Sequence, residues 1–240
     1  VVGVILNDGD QVNADVIVSA IHPIDTMNLL DANTSMRSIY RNRVVQLTNS
    51  AGCFTVNVKL KPDSVPLSWG PTYVHRRGCD MWNPSDDSIN HIMLHYYPSQ
   101  NALDILTPMS WNMVSPYMDS SSLSNVEEYQ LFKQHIVDKC LDLAKLAVPD
   151  ICQSVAKYWS SSPLTWSRYL SANHGTAFGV MKDYHNIEYS LLPPRTPLNG
   201  LYLTGQSLMI HGVMGTTISA FRTAATINHD IAYWPEKYFE

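Results

Sequence analysis

Several features that mark whole protein classes are scarce or missing in this 240-residue chain. It has four cysteines, Cys53, Cys79, Cys140 and Cys152, and no C-x-x-C pair. That spacing argues against a zinc site or a disulfide framework and makes a reducing, cytoplasmic compartment the default. Sixteen Lys and Arg face 21 Asp and Glu, a formal charge of −5. A nucleic-acid binder would carry the opposite balance, so nucleic acid is excluded as a partner. No apolar run reaches the roughly 18 residues a membrane-spanning helix needs. The dinucleotide fingerprint G-x-G-x-x-G occurs nowhere. There is no Ser-His-Asp order and no paired-carboxylate motif. His75, His91, His95 and His135 stand at no metal-ligand spacing, so no metal site is expected. The chain opens on Val1 inside what reads as a strand, which suggests a fragment of a longer protein.

What remains is an ordinary globular composition, 45% hydrophobic and 15% charged, long enough for one large domain or two small ones. Two short apolar runs flank Asn7-Asp8-Gly9-Asp10, and Asp-Gly between extended arms predicts a β-hairpin. Asp15-Val16-Ile17-Val18-Ser19-Ala20 follows. Its consecutive β-branched residues predict a strand buried on both faces, as in parallel sheets. Residues 25–43 read as short helices or irregular connection. Phe54, Val56, Val58 and Leu60 alternate with polar residues, the period of a half-buried strand. Further strands are expected at 72–76, 91–97 and 102–109, and the cluster Asn83-Pro84-Ser85-Asp86-Asp87 reads as a solvated turn. Strands that follow one another without helices predict an antiparallel sheet.

The clearest helix spans 125–148. Ser124 and Glu127 suit a capping box, and Tyr129, Phe132, Ile136, Cys140, Leu143 and Ala147 form one apolar stripe. Cys140 is assigned to packing on that stripe. A further strand is expected over 151–160, and Pro163 suits the first turn of a short helix. Residues 171–184 read as a loop carrying Gly175 and Gly179. Leu201-Tyr202-Leu203-Thr204-Gly205 reads as a buried strand, 206–215 as a loop, and Thr216 to about Asn228 as a helix of unusually small residues. The last unit is the strongest constellation. Unpaired amides at a helix N-terminus favour phosphate or an electron-rich carbonyl, and Gly212 and Gly215 would let a ligand approach the backbone.

The two ends of the chain together resemble a known family. Gly3-Val4-Ile5-Leu6-Asn7-Asp8-Gly9 with Ala14-Asp15-Val16-Ile17-Val18-Ser19-Ala20 is one matching block. Ser162-Pro163-Leu164-Thr165, Arg168-Tyr169, Gly175 and Phe178-Gly179 form a second, with phenylalanine where the family usually has tyrosine. Gly200-Leu201-Tyr202-Leu203-Thr204-Gly205-Gln206-Ser207, followed by Gly212-Val213-Met214-Gly215, is the third and most specific. These blocks resemble the carboxy-terminal part of the flavin-dependent phytoene desaturase, carotenoid isomerase and retinol saturase family.

The resemblance implies an α+β (α/β) chain. Residues 1–30 and 171–240 would contribute a Rossmann-like portion of an FAD-binding domain, and 31–170 an antiparallel-sheet substrate domain. It implies that Ser19, Ala20, Gly175, Phe178, Gly179, Gly205, Gln206, Gly212, Gly215 and Thr216 face FAD in the full-length parent. Gly215 and Thr216, at the helix start, would offer amides near the pyrimidine end of the isoalloxazine. Tyr169 and His211 are the candidates for a catalytic part, and His174 is the other loop histidine that would contact substrate or flavin. The substrate would be a long apolar polyene of carotenoid or retinoid type, and an apolar substrate makes a peripheral membrane contact sensible. Oligomeric state is not legible. Two rival readings are an amine-oxidase-like flavoenzyme and a non-catalytic binding fragment without the amino-terminal FAD fingerprint.

Overall fold

The structure is a computed structural model, and it describes residues 1–31, 34–62, 64, 70–79, 89–118 and 123–228, with the side chains of 123–125 excepted. The Asn83–Asp87 turn expected from sequence lies outside the described residues. The chain divides into two compact units, one made of Val1–Ser50 with Phe178–Glu240, the other of Ala51–Ala177.

The first unit opens with the hairpin of β1 (Gly3–Ile5) and β2 (Gln11–Asn13), antiparallel in the register Val4 opposite Val12. Its turn uses Gly9 at φ +91°, a conformation that glycine adopts without steric cost, and Asp8 accepts the amide of Asp10. Strand β3 (Ile17–Ser19) is followed by α1 (Pro23–Asn28) and α2 (Ser38–Val45).

The second unit is a five-stranded antiparallel sheet. Its strands are β4 (Gly52–Leu60), β5 (Pro71–His75), β6 (His91–Tyr97), β7 (Ala102–Met109) and β8 (Val155–Ser161), in the spatial order β5-β6-β7-β4-β8. On β4 and β7 burial alternates residue by residue, so one face packs and the other stays open. The packed face lies under α3 (Leu123–Ala144), whose Ile136, Val137, Cys140 and Leu143 join Phe54, Ile92, Leu94 and Ile105 in one core. Helices α4 (Ile151–Ser154) and α5 (Pro163–Leu170) complete the unit. Ser162 caps α5 in a reciprocal capping box with Thr165, and its hydroxyl also bonds Tyr129 of α3 at 2.6 Å.

The chain then returns to the first unit with α6 (Ile187–Ser190), β9 (Leu201–Leu203) and α7 (Gly212–Ile227). Strand β9 runs parallel to β3, Ile17 opposite Leu201 and Ser19 opposite Leu203. Beneath them Met27, Val44, Val180, Leu192, Leu203 and Leu208 make the unit's own core.

Four expectations are corrected. Strand β3 is not buried on both faces: Val18 on it and Val16 just before it are 47% and 45% exposed, because β9 is the one strand it pairs with among the described residues. Helix α3 starts at Leu123, ahead of Ser124, and ends at Ala144 rather than Val148, its last carbonyls closed by turns at 145–148. Residues 151–154 form a helical turn before β8 begins. Helix α7 begins at Gly212, so Thr216 is its fifth residue and not its start.

Candidate functional site

The first unit brings most of the sequence-nominated residues together around the ends of two parallel strands. In parallel strands the carboxyl ends lie side by side, and a crevice there is where open α/β sheets bind ligands. β3 ends at Ser19-Ala20 and β9 runs out at Thr204-Gly205. The amide of Thr204 donates to the Ser19 carbonyl at 2.9 Å, continuing the ladder one step beyond the strands. Ser19 is held in turn by a 2.7 Å hydroxyl–hydroxyl bond to Thr26, the first helix after β3 supplying the partner. The junction is locked.

Helix α7 lies against this junction through its small residues. Gly215, Ser219 and Thr223 recur every four positions and are the buried ones. Ser219 accepts the amide of Gly205 at 3.0 Å, and Thr223 donates to the carbonyl of Leu203 at 3.0 Å. Small side chains let the helix approach β9 closely enough for its hydroxyls to serve strand backbone. Thr216 and Thr217 bond back to carbonyls of their own helix at Gly212 and Val213. As the fifth residue of α7, Thr216 has its amide within the helix ladder, which corrects its expected place at the helix start. The amides that lack an intrahelical partner belong to the first turn, residues 212–214, where Val213 and Met214 are 88% and 71% exposed.

The glycines serve different ends. Gly205 sits at φ +103°, and a Cβ there would meet only the Ala20 carbonyl oxygen, at 3.6 Å. Gly212 sits at φ +80° with nothing within 4 Å of a Cβ. Both present open backbone, as a cradle for an extended polar ligand requires. Gly215 instead has an internal reason: a Cβ would collide with the Ile210 carbonyl. At Gly179, φ +74°, a Cβ would strike the Ser207 hydroxyl, which fixes the loop of Gly179 against the turn after β9. Phe178 and His211 reinforce that approach with ring centroids 4.5 Å apart. Gln206 stands between Gly205 and Ser207 in the same turn.

Tyr169 and Gly175 belong to the second unit. Tyr169 is 83% exposed on the last turn of α5. Gly175 packs so tightly on Pro163 that a Cβ would meet its carbonyl, and the neighbouring His174, at φ +49°, stacks on Trp111 with centroids 5.5 Å apart. Two shallow cavities of about 210 and 300 Å³ lie on the second unit, one lined by Arg76, Ile89, Asn90, Lys139 and Asp142, the other beside Trp159. Among the described residues no three His, Cys, Asp or Glu side chains gather as a metal group, and no helix is long and apolar enough to cross a membrane. Sequence reading passed over Ser219 as a bonding group and Lys182 altogether. A single lysine in the apolar stretch Val180-Met181 was the available signal.

The protein is similar to curated retinol reductases. The rat (Rattus norvegicus) and human (Homo sapiens) all-trans-retinol 13,14-reductases are each 24% identical to it over 134 residues, 55% of this chain and 22% of their own length. Its relatives are retinol saturase-like oxidoreductases. A zebrafish (Danio rerio) relative, 23% identical over 137 residues, carries the name inactive all-trans-retinol 13,14-reductase. The match thus spans about a fifth of the length of these retinol reductases. No family model matches. Among solved structures, an oxidoreductase from Methanosarcina mazei superposes over 92% of this chain and 44% of its own, with a TM-score of 0.50 and 14% identity. That likeness concerns the fold, a mixed α/β arrangement with an antiparallel sheet. The chain thus shares that mixed α/β fold and has retinol-reductase relatives.

Proposed function

We propose that this chain is the carboxy-terminal portion of an FAD-dependent oxidoreductase that acts on a long apolar polyene of the retinoid type. The observation that carries the reading is the junction of β3, β9 and α7, where open glycine backbone at 205 is bonded to Ser219 of α7 and open backbone at Gly212 begins that helix with its unpaired amides. That set of groups suits a dinucleotide chemically. Amides and a positive helix end favour phosphate and the electron-rich edge of a flavin, and a glycine without Cβ lets either come close. When bound, FAD supplies hydride transfer to or from the polyene.

The chain's own residues position and exclude. Gly205 and Gln206 would hold the cofactor's backbone side. The first turn of α7, Gly212 to Gly215, would face the ring, and its dipole favours the reduced, negatively charged form. Phe178 and His211 would close the apolar side and keep water from the reacting carbons. Ser19 and Ala20 would form the floor, with Ser19 fixed through Thr26. The exposed apolar side chains of β3 and α7, among them Val16, Val18, Val213 and Met214, suit burial against further chain of the same protein.

The test is to purify the protein in its longest native form and record its visible absorption. Bound flavin, bleached on reduction and reoxidised by a retinoid or carotenoid acceptor, is the expected result. A colourless protein that takes up no FAD on titration sinks the proposal. A protein that binds FAD but turns over no polyene would favour the second reading, a non-catalytic member, which the name of the zebrafish relative makes specific.

A further inference from the structure

Lys182 lies three residues beyond Gly179, on the loop that packs against the turn after β9. Its ammonium group donates to three main-chain carbonyls, Ser207 at 2.6 Å, Ser190 at 3.0 Å and Leu208 at 3.4 Å. An ammonium carries three N–H donors, so its capacity is filled by carbonyl dipoles alone. Its partners come from two stretches, the end of α6 and the two residues that follow Gly205-Gln206. The surrounding bonds share that task. Asp183 donates its amide to the Ser190 hydroxyl at 3.2 Å, Leu192 donates to the Leu208 carbonyl at 3.0 Å, and Met181 donates to Thr48 at 2.9 Å. Irregular backbone must find its hydrogen-bond partners somewhere, and here one side chain collects three of the acceptors.

We propose that Lys182 is a positioning residue for the flavin-binding turn at 205–208: by holding the Ser207 and Leu208 carbonyls it keeps them from turning toward an anionic cofactor. The proposal rests on the flavin reading above. A carbonyl turned toward phosphate or a reduced flavin repels it, whereas one committed to the partly buried Lys182 ammonium stays out of the way. Gly205 and Gln206 are then free to offer the ligand backbone and side chain while the residues after them stay fixed. Burial pulls the Lys182 ammonium down to about 8, still high enough for the group to be charged at neutral pH.

The experiment compares wild type, K182M and K182R in the longest native form of the protein. Flavin affinity is read by titrating apoprotein, together with the reduction potential and visible spectrum of the bound flavin. K182M should bind flavin at least about tenfold more weakly with an altered potential, since a charge-assisted bond carries that much free energy. K182R, which keeps the charge and donors, should recover most of the affinity. If K182M does not fold, K182Q, which keeps donors without charge, is read in its place with the same expectation. Wild-type affinity, spectrum and potential in K182M or K182Q would overturn the positioning role, even with a lowered melting temperature. A wild-type protein that takes up no flavin would instead overturn the reading beneath it, and this proposal with it.

Discussion

Ser219 of α7 accepts a hydrogen bond from the amide of Gly205, 3.0 Å away at the end of β9. The bond joins a helix to a glycine two residues beyond the strand, whose φ of +103° no ladder could hold. Replacing Ser219 with alanine leaves that partly buried amide unpaired. The expected loss is about 1–3 kcal/mol, seen as a lower urea midpoint, with flavin affinity in the full protein falling as well. An unchanged midpoint would show that water replaces the hydroxyl.

Two glycines of the same unit should separate stability from ligand approach. Gly215→Ala drives a Cβ into the Ile210 carbonyl. Overpacking of this kind costs roughly 1–3 kcal/mol. Gly205→Ala meets open space but a left-handed φ, a cost of about 1–2 kcal/mol, and puts a methyl group where the cofactor would lie. Thermal melts should therefore rank G215A at or below G205A. Flavin titration should rank them in the reverse order.

In the second unit, Ser162 both caps α5 and bonds Tyr129. Ser162→Ala should cost about 1–2 kcal/mol through the lost cap, with more from the stranded tyrosine hydroxyl. Tyr129→Phe removes only the second bond and should cost less. A double variant that loses no more than S162A alone would show that the two bonds act as one unit.

The cysteines set a pH dependence. Burial pushes the Cys53 thiol up to about 11 and Cys140 up to about 12. Once unfolded, both release their protons near 9, the ordinary thiol value. The folded state binds the proton more tightly, so this contribution is whole below pH 9 and is lost as pH rises toward 11–12. Between pH 9 and 11 the wild type should lose stability more steeply than C53A/C140A in denaturant titrations. Alkylation at pH 8 should modify exposed Cys152 well before Cys140.

Local periodicity was enough for much of the fold. The period-two alternation of Phe54, Val56, Val58 and Leu60 is the packed face of β4, and the stripe of Ile136, Cys140 and Leu143 is the buried side of α3. The hairpin followed from Asp8-Gly9, and the limits of β6 and β7 match the apolar runs at 91–97 and 102–109. These elements are legible because each side chain's burial repeats with the geometry of its own backbone.

The site needed the tertiary structure. That β3 pairs with β9, more than 180 residues later, depends on a contact no local pattern encodes. Helix α7 starts at Gly212, with the Ile210 carbonyl where a Cβ on Gly215 would go, while its residues up to Gly215 read as loop in sequence. Val16 and Val18 looked like core by composition, yet their exposure depends on which strands stand beside β3. Lys182 is a lone charge until three carbonyls from distant turns close around it. The sequence by itself determined where β4, β6, β7 and most of α3 lie and which face of β4 and α3 is apolar, since those are properties of neighbours along the chain. Which glycines are open to a ligand and which merely relieve a collision was decided only by packing, since that depends on atoms brought close by folding.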